Sequence, residues 1–254
     1  MLFCNSHKMR DTLMIKRLIH SCISRCLIGV LFLVYSIPIA IIMCIPRKHR
    51  LKSRLVFFVI DSFYRAVLFC LFIPISIHGK ENIPHEPAIF IANHQSSIDI
   101  PLFGSLVHGE PHVWLARADA TAYKIIRYFY SLLAVIVDLS SPVASYRSIR
   151  TLLDIAYETK AHLMLFPEGE RHTDGRVHEF VNGFVFLAKK TRRPVVPICI
   201  LGVNYVYPPK TFLLTRLPIH VLIGEPFVYQ EDDTDESFKE KIISWYNRQI
   251  RRYE

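Results

Sequence analysis

The stretch Pro87-Ala88-Ile89-Phe90-Ile91-Ala92-Asn93-His94-Gln95-Ser96-Ser97-Ile98-Asp99 decides the fold. Its first six residues form a short apolar run bounded by turn formers, the pattern of a buried strand. Ser96, Ser97 and Asp99 then offer starting points for a helix. A strand that turns directly into a helix belongs to an α/β sheet, where loops at the strand ends carry the chemistry. Histidine has an unperturbed pKa of about 6.5, so His94 can act as a base near neutral pH, and a carboxylate beside it would fix its tautomer. Five residues correspond to about 140° around a helix axis, so His94 and Asp99 meet only if His94 lies in the turn and Asp99 in the first helical turn. The plainer alternative is one histidine among 12 and an aspartate that merely caps a helix.

A second block, Phe166-Pro167-Glu168-Gly169-Glu170-Arg171, also directly follows an apolar run, His162-Leu163-Met164-Leu165-Phe166, and reads as another strand end. Two such turns on one sheet can face each other. Together the blocks resemble the 1-acylglycerol-3-phosphate acyltransferase family, whose members carry a His-x4-Asp motif followed some tens of residues later by Phe-Pro-Glu-Gly-x-Arg. The resemblance covers most of Gly79 to Glu225. It implies His94 as base and Asp99 as the acid that orients it. Arg117, within Leu115-Ala116-Arg117-Ala118-Asp119, resembles the phosphate-binding lysine of the family, and Arg171 is the second candidate for the acceptor phosphate. Glu168 and Gly169 resemble acceptor-site residues, and Asn93 and Gly183 complete the expected substrate-binding set. Val196-Pro197-Ile198 matches a further block. Two positions depart from the pattern: Leu139 stands where the family carries arginine, and Val181 in Phe180-Val181-Asn182-Gly183 stands where it carries lysine. Arg147, Arg176 and Lys189 are the nearby cations that could substitute.

Hydrophobic residues make up 51% of the 254, and mean hydropathy is +0.26, more apolar than an ordinary soluble domain. The formal net charge of +9 favours an anionic surface. Membrane phospholipid satisfies both properties; nucleic acid satisfies only the charge, and no helix-turn-helix, zinc-finger or aromatic RNA-binding signature accompanies it. The six cysteines contain no C-x-x-C pair and lie mostly in apolar surroundings, so they are expected to be reduced, buried and inert, as suits a domain facing the cytosol.

Residues 1–77 read as a membrane-associated helical segment and 78–254 as one catalytic domain. From Cys26 to Pro46 no residue is charged, long enough for a bilayer-crossing helix that Pro38 would kink. Arg47-Lys48-His49-Arg50 follows it directly and no small-residue cleavage site appears, so it is expected to be retained. A second apolar stretch, Leu55 to Ile77, contains Asp61 and Arg65, four apart and able to pair on one helical face. Lys16, Arg17 and Arg25 precede the first stretch and Arg47, Lys48, Arg50, Lys52 and Arg54 follow it, so a simple crossing would put one basic cluster on the wrong side. An in-plane or re-entrant helical hairpin, with the catalytic domain at the cytoplasmic face of a bacterial inner membrane or an endoplasmic reticulum, is expected ahead of a single true span. The family resemblance points the same way.

Beyond His78-Gly79-Lys80-Glu81-Asn82-Ile83-Pro84, apolar runs at 89–92, 113–116, 134–137, 163–166, 195–200 and 219–223 predict strands. Ile149, Leu152, Leu153, Ala156 and Tyr157 predict a helix between them. Alternating strands and helices give an α/β class with a largely parallel central sheet flanked by helices. A last helix is expected from Asp233, capped with Glu236, with Phe238, Ile242, Trp245 and Tyr246 on its inner side.

Acyl transfer from a thioester to an alcohol needs a base for the hydroxyl and donors for the oxyanion. No Gly-x-Ser-x-Gly elbow occurs and no cysteine neighbours His94 in sequence, so the attacking hydroxyl is that of the acceptor. One His and one Asp five apart lack a third ligand at metal spacing, so no metal is expected. No cofactor is expected either; acyl-CoA or acyl carrier protein would be co-substrate, and lysophosphatidate the acceptor giving phosphatidate. The alternatives are the same chemistry on glycerol-3-phosphate, another lysophospholipid or a lyso-ornithine lipid, or a non-enzymatic lipid-binding membrane protein on the same fold.

Overall fold

The structure, a computed structural model, describes residues 2–117, 133–137, 141–208 and 211–253. Helices α1 (Leu2–Met43), α2 (Arg47–Arg50) and α3 (Arg54–Cys70) come first. The sheet region follows with β1 (Ile75–His78), β2 (Ile89–Ala92), α4 (Asp99–Ser105), β3 (His112–Arg117), β4 (Ala134–Val137), α5 (Pro142–Glu158) and β5 (His162–Leu165). It ends with α6 (Gly183–Thr191), β6 (Val195–Leu201), α7 (Val203–Val206), β7 (Ile219–Ile223) and α8 (Asp235–Tyr253).

Seven strands form one sheet in the order β1-β7-β6-β2-β5-β3-β4, parallel at every pairing except β6 with β7. This is the expected α/β architecture. The central strands β2 and β5 are buried along their whole length, which explains why they read as continuous apolar runs rather than alternating ones. β1 was not expected: it pairs with β7 from Ile75 to His78, so the expected domain boundary at 77 falls inside a strand of the sheet.

α1 and α3 lie together as a hairpin. Tyr35 Oη donates to Ser62 Oγ at 2.9 Å, and the rings of Phe32 and Phe63 meet edge to face at 5.4 Å. Arg65 Nε donates to Asp61 Oδ2 at 2.6 Å, the four-residue pair expected from spacing. Pro38 does not end α1, which continues to Met43. Most of the apolar side chains of α1 are exposed, among them Leu33, Ile37 and Ile41, as are Leu55, Phe58 and Phe69 of α3. Cys22, Cys26 and Cys44 are exposed with them, against the expectation of burial, while Cys70 and Cys199 are buried. Both ends of the uncharged stretch are tied to the sheet region: Arg25 donates to Phe212 O and Arg47 to Ala134 O. The basic clusters are therefore partly consumed by the protein, and Arg50 is buried.

α3 packs on α4 through Gly104, where an added Cβ would lie 2.3 Å from the Tyr64 ring. On α8, Phe238, Ile242 and Tyr246 are buried, and Tyr246 Oη lies 2.9 Å from Ile91 O while accepting from Ile198 N. Its capping box is one residue later than expected: Thr234 N donates to Ser237 Oγ and Ser237 N to Thr234 Oγ1. On α5, Leu152 and Ala156 are buried, but Tyr157 turns outward and donates to Lys190 O.

Candidate active site

The site forms where β2 and β5, adjacent in the sheet, release their chains at the same end. Asp99 opens α4 with its side chain turned back into the preceding loop. Its Oδ2 accepts from Gln95 N at 2.6 Å, Ser96 N at 2.7 Å and His94 Nδ1 at 2.9 Å. The aspartate thus shapes the turn that carries the histidine, and α4 itself starts without a side-chain cap. Oδ2 can only accept from these groups, so His94 carries its proton on Nδ1. Nε2 has no protein partner among the described residues and is not buried, which leaves its lone pair facing outward.

The histidine ring lies flat on Phe166, centroids 3.9 Å apart at 12°, and Phe166 is backed by Trp114 at 5.8 Å and Phe103 at 5.5 Å. This aromatic wall permits one ring orientation and keeps water from one face. Phe166 opens the Phe-Pro-Glu-Gly-x-Arg block, but nothing in that motif or its spacing marks it as a partner of His94.

Glu168 departs from its expected role. Its side chain has no solvent exposure. Oε1 accepts from His94 N at 3.1 Å and Oε2 from His178 N at 3.4 Å, so it clasps the two turns together instead of facing an acceptor. Burial pushes its pKa up to about 7, against the two backbone donors that hold it down. His172 N donates to His94 O at 2.9 Å, a second bond between the turns. The His172 and His178 rings stack 3.7 Å apart, and His178 Nε2 meets Asp174 at 2.9 Å; neither histidine had a sequence signal.

Asn93 is also turned inward: Nδ2 donates to Ile200 O and Oδ1 accepts from Ile200 N, tying the turn to β6 instead of reaching a ligand. Gly169 has φ +74° and Gly169 N donates to Phe166 O, a left-handed turn position suited to glycine. Arg171 is exposed beside this turn, with no ion pair among the described residues. Gly183 opens α6 at the surface, in open space, two residues after Val181, whose N–H donates to Pro167 O. Arg117 ends β3, but its side chain lies outside the described residues, as does Leu139. Of the substitute cations, Arg147 and Arg176 are exposed; Lys189 is spent on Asp235 at 2.9 Å. Among the described residues no group of three or more His, Cys, Asp or Glu could hold a metal ion.

The family model described as Acyltransferase matches residues 74–201, half of the chain, and contains both turns. The chain belongs to the acyltransferase family. A 1-acyl-sn-glycerol-3-phosphate acyltransferase of Limnanthes douglasii is 33% identical over 171 residues, covering 67% of this chain and 58% of that one. One from Cocos nucifera is 31% identical over 179 residues, 70% and 56%. The chain thus spans somewhat more than half the length of these curated relatives. The crystal structure of a 1-acyl-sn-glycerophosphate acyltransferase, PlsC, from Thermotoga maritima has the same fold, with a TM-score of 0.75 over 94% of this chain and 96% of that one at 23% identity. Family membership explains why these two blocks occur together, and the contacts above show how each residue is held in this member.

Proposed function

We propose that the protein is a membrane-docked O-acyltransferase that moves a fatty acyl group from acyl-CoA or acyl carrier protein to the sn-2 hydroxyl of lysophosphatidate, giving phosphatidate. The observation that carries this reading is the 2.9 Å bond from His94 Nδ1 to Asp99 Oδ2, which leaves Nε2 facing outward as a base. Nε2 takes the proton of the acceptor hydroxyl as its oxygen attacks the thioester carbonyl. The tetrahedral intermediate then collapses, breaking the carbon–sulfur bond, and the His94 imidazolium returns the proton to the departing thiolate. No enzyme nucleophile is needed. Cys199, behind the site, is buried with its thiol pushed up to about 12, and Ser96 Oγ is bonded to Tyr207 O.

The names of the relatives support the acceptor, and Arg171 supplies an exposed guanidinium on the turn facing His94 for its phosphate. The exposed apolar face of α1 and α3 supports membrane docking. Because Arg25 and Arg47, separated by about 27 Å of helix to Met43 and a short turn, both bond to the one sheet region, the uncharged stretch between them runs along the domain. That placement favours lying in the leaflet over crossing it, with the catalytic domain on the cytoplasmic side where thioester donors are found. A second reading, the same chemistry on a different acceptor, is favoured by one observation: Val181 is 60% exposed where the family pattern has a cation.

Full-length protein in phosphatidylcholine–phosphatidylglycerol vesicles, given acyl-CoA with lysophosphatidate, glycerol-3-phosphate or other lysolipids, tests both readings. Lysophosphatidate-dependent release of free CoA with phosphatidate formed is the expected result. Preference for another acceptor favours the second reading, and CoA release with no acceptor contradicts both.

A further inference from the structure

Arg17, Ser21 and Arg25 recur every four residues on α1 and so share one face. Arg17 and Arg25 were expected as part of a basic cluster at the membrane, yet all three residues are spent on the segment between α7 and β7. Arg17 Nη2 donates to Thr215 Oγ1 at 2.6 Å, and Leu214 N donates to Ser21 Oγ at 2.8 Å. Arg25 Nε and Nη2 converge on Phe212 O at 3.1 and 2.9 Å, and Nη2 also donates to Tyr207 Oη at 3.1 Å. Its guanidinium lies 4.4 Å from the Phe212 ring centre and 5.3 Å from that of Tyr207.

The same segment touches the catalytic turn. Ser96 Oγ donates to Tyr207 O at 3.2 Å, and Ser96 N is one of the donors that place Asp99 Oδ2, the oxygen bonded to His94 Nδ1. Among the described residues the segment's own backbone bonds are Tyr207 N to Val203 O, Thr215 N to Val206 O and Leu217 N to Thr215 O, which leaves residues 211–214 to the side chains of α1. Its middle is therefore held from α1, and the Tyr207 ring is held by Arg25 while the Tyr207 backbone is capped onto α7. An arginine on this face could have served a lipid phosphate; here the fork and both ring contacts go to the protein.

We propose that Arg25 is a positioning residue for acyl transfer. It fixes Tyr207, the Tyr207 carbonyl fixes Ser96, and Ser96 helps hold the carboxylate that orients His94. α1 is then a strut of the active site as well as a lipid-facing surface. The proposal rests on the reading of His94 and Asp99 as base and orienting acid. Lysine at position 25 would keep the charge but lose the paired donation to Phe212 O.

The test uses the full chain in the same vesicles, with initial rates measured against both substrates. Arg25→Ala is expected to lower kcat about tenfold while both KM values stay within about twofold and vesicle co-sedimentation is unchanged, because the residue acts on orientation and not on binding. Ser96→Ala is expected to match it, and the double variant to lose no more than either single one, the mark of residues acting in series. Arg25→Lys is expected to recover only part of the rate. Tyr207→Phe keeps the ring and leaves α1 untouched, so it repeats the cycle independently of how Arg25→Ala folds; a kcat loss of about threefold, masked when Ser96 is already alanine, is expected. An unchanged kcat in both Arg25→Ala and Tyr207→Phe, or losses that multiply with Ser96→Ala, would overturn the proposal. A wild type with no transfer activity that His94→Ala abolishes would instead remove the base assignment beneath it, a separate result.

Discussion

At the scale of residues, the candidate site consists of one outward-facing imidazole nitrogen, His94 Nε2, and the groups that fix where it points. Asp99 Oδ2 gathers three donors, whereas Oδ1 is buried with no partner among the described residues. Asn at 99 can therefore keep its oxygen on the turn, with its amide nitrogen at the Oδ1 position. It would lose the charge that stabilises the imidazolium. Asp99→Asn is expected to lower kcat about 10²-fold, less than loss of the base itself, with little change in either KM. Glu168 differs because its proton matters. Its folded pKa is raised from 4.5 to about 7, so between those values the folded state keeps a proton that the unfolded chain has released. Stability contributed by this group therefore falls as pH rises through that window. Glu168→Gln keeps an acceptor for His94 N and has no charge to bury. The variant is expected to gain on the wild type from pH 4.5 to 7, by on the order of 3 kcal/mol at most, in denaturant titrations at stepped pH. A gap that is flat with pH would show that Glu168 is ionised throughout.

At the scale of elements, what was legible depended on whether hydrophobic pattern alone defined the element. The six strands read from apolar runs are present because each run is short and bounded by turn formers. β1 was hidden because Ile75–Ile77 continue the apolar run of α3, and no change of composition separates lipid-facing helix from edge strand. The cap of α8 was misplaced by one residue because Asp233 and Thr234 are both good capping residues; Asp233 is instead paired with Lys241. The site was legible as two turns and one His–Asp pair. Glu168 and Asn93, expected as substrate-binding residues, have their side chains bonded to the protein backbone, since a motif records that a residue is needed and not which way it points. Phe166, His172 and Tyr207 had no signal because their roles come from segments brought together only by the fold. One helix contact yields a direct test. Gly104 of α4 meets the Tyr64 ring at a distance no side chain tolerates, so Gly104→Ala is expected to cost about 1–3 kcal/mol and lower Tm. Gly183→Ala, in open space at the start of α6, is the matched control and is expected to leave Tm nearly unchanged.

At the scale of the whole molecule, buried histidines and the membrane face set the working conditions. His112 and His162 are neighbours across β3 and β5, and burial lowers each from 6.5 to about 4. Their stabilising contribution is complete above pH 6.5 and is lost as pH falls toward 4, because the unfolded chain takes up the protons first. Two histidines outweigh the opposite slope of Glu168 in that range. Stability is therefore expected to rise from pH 4.5 to about 6.5 and then to level or dip slightly toward pH 7.5; a maximum below pH 5.5 would contradict these assignments. Under the proposed docking, the exposed apolar face of α1 and α3 would set this domain against a leaflet, where a lipid acceptor could meet a soluble thioester without leaving its headgroup level. In the proposed reaction His94 is the base and the acceptor hydroxyl the nucleophile. The most direct measurement is the rate of lysophosphatidate-dependent thiol release by His94→Ala in phospholipid vesicles, alongside a rapid-quench search for acyl-enzyme in the wild type. With His94 as base, kcat is expected to fall about 10³-fold or more with folding and vesicle binding intact, and no acyl group is expected on the protein at any time. Near-normal release by His94→Ala, or a stoichiometric burst of acylated wild-type enzyme, would contradict it.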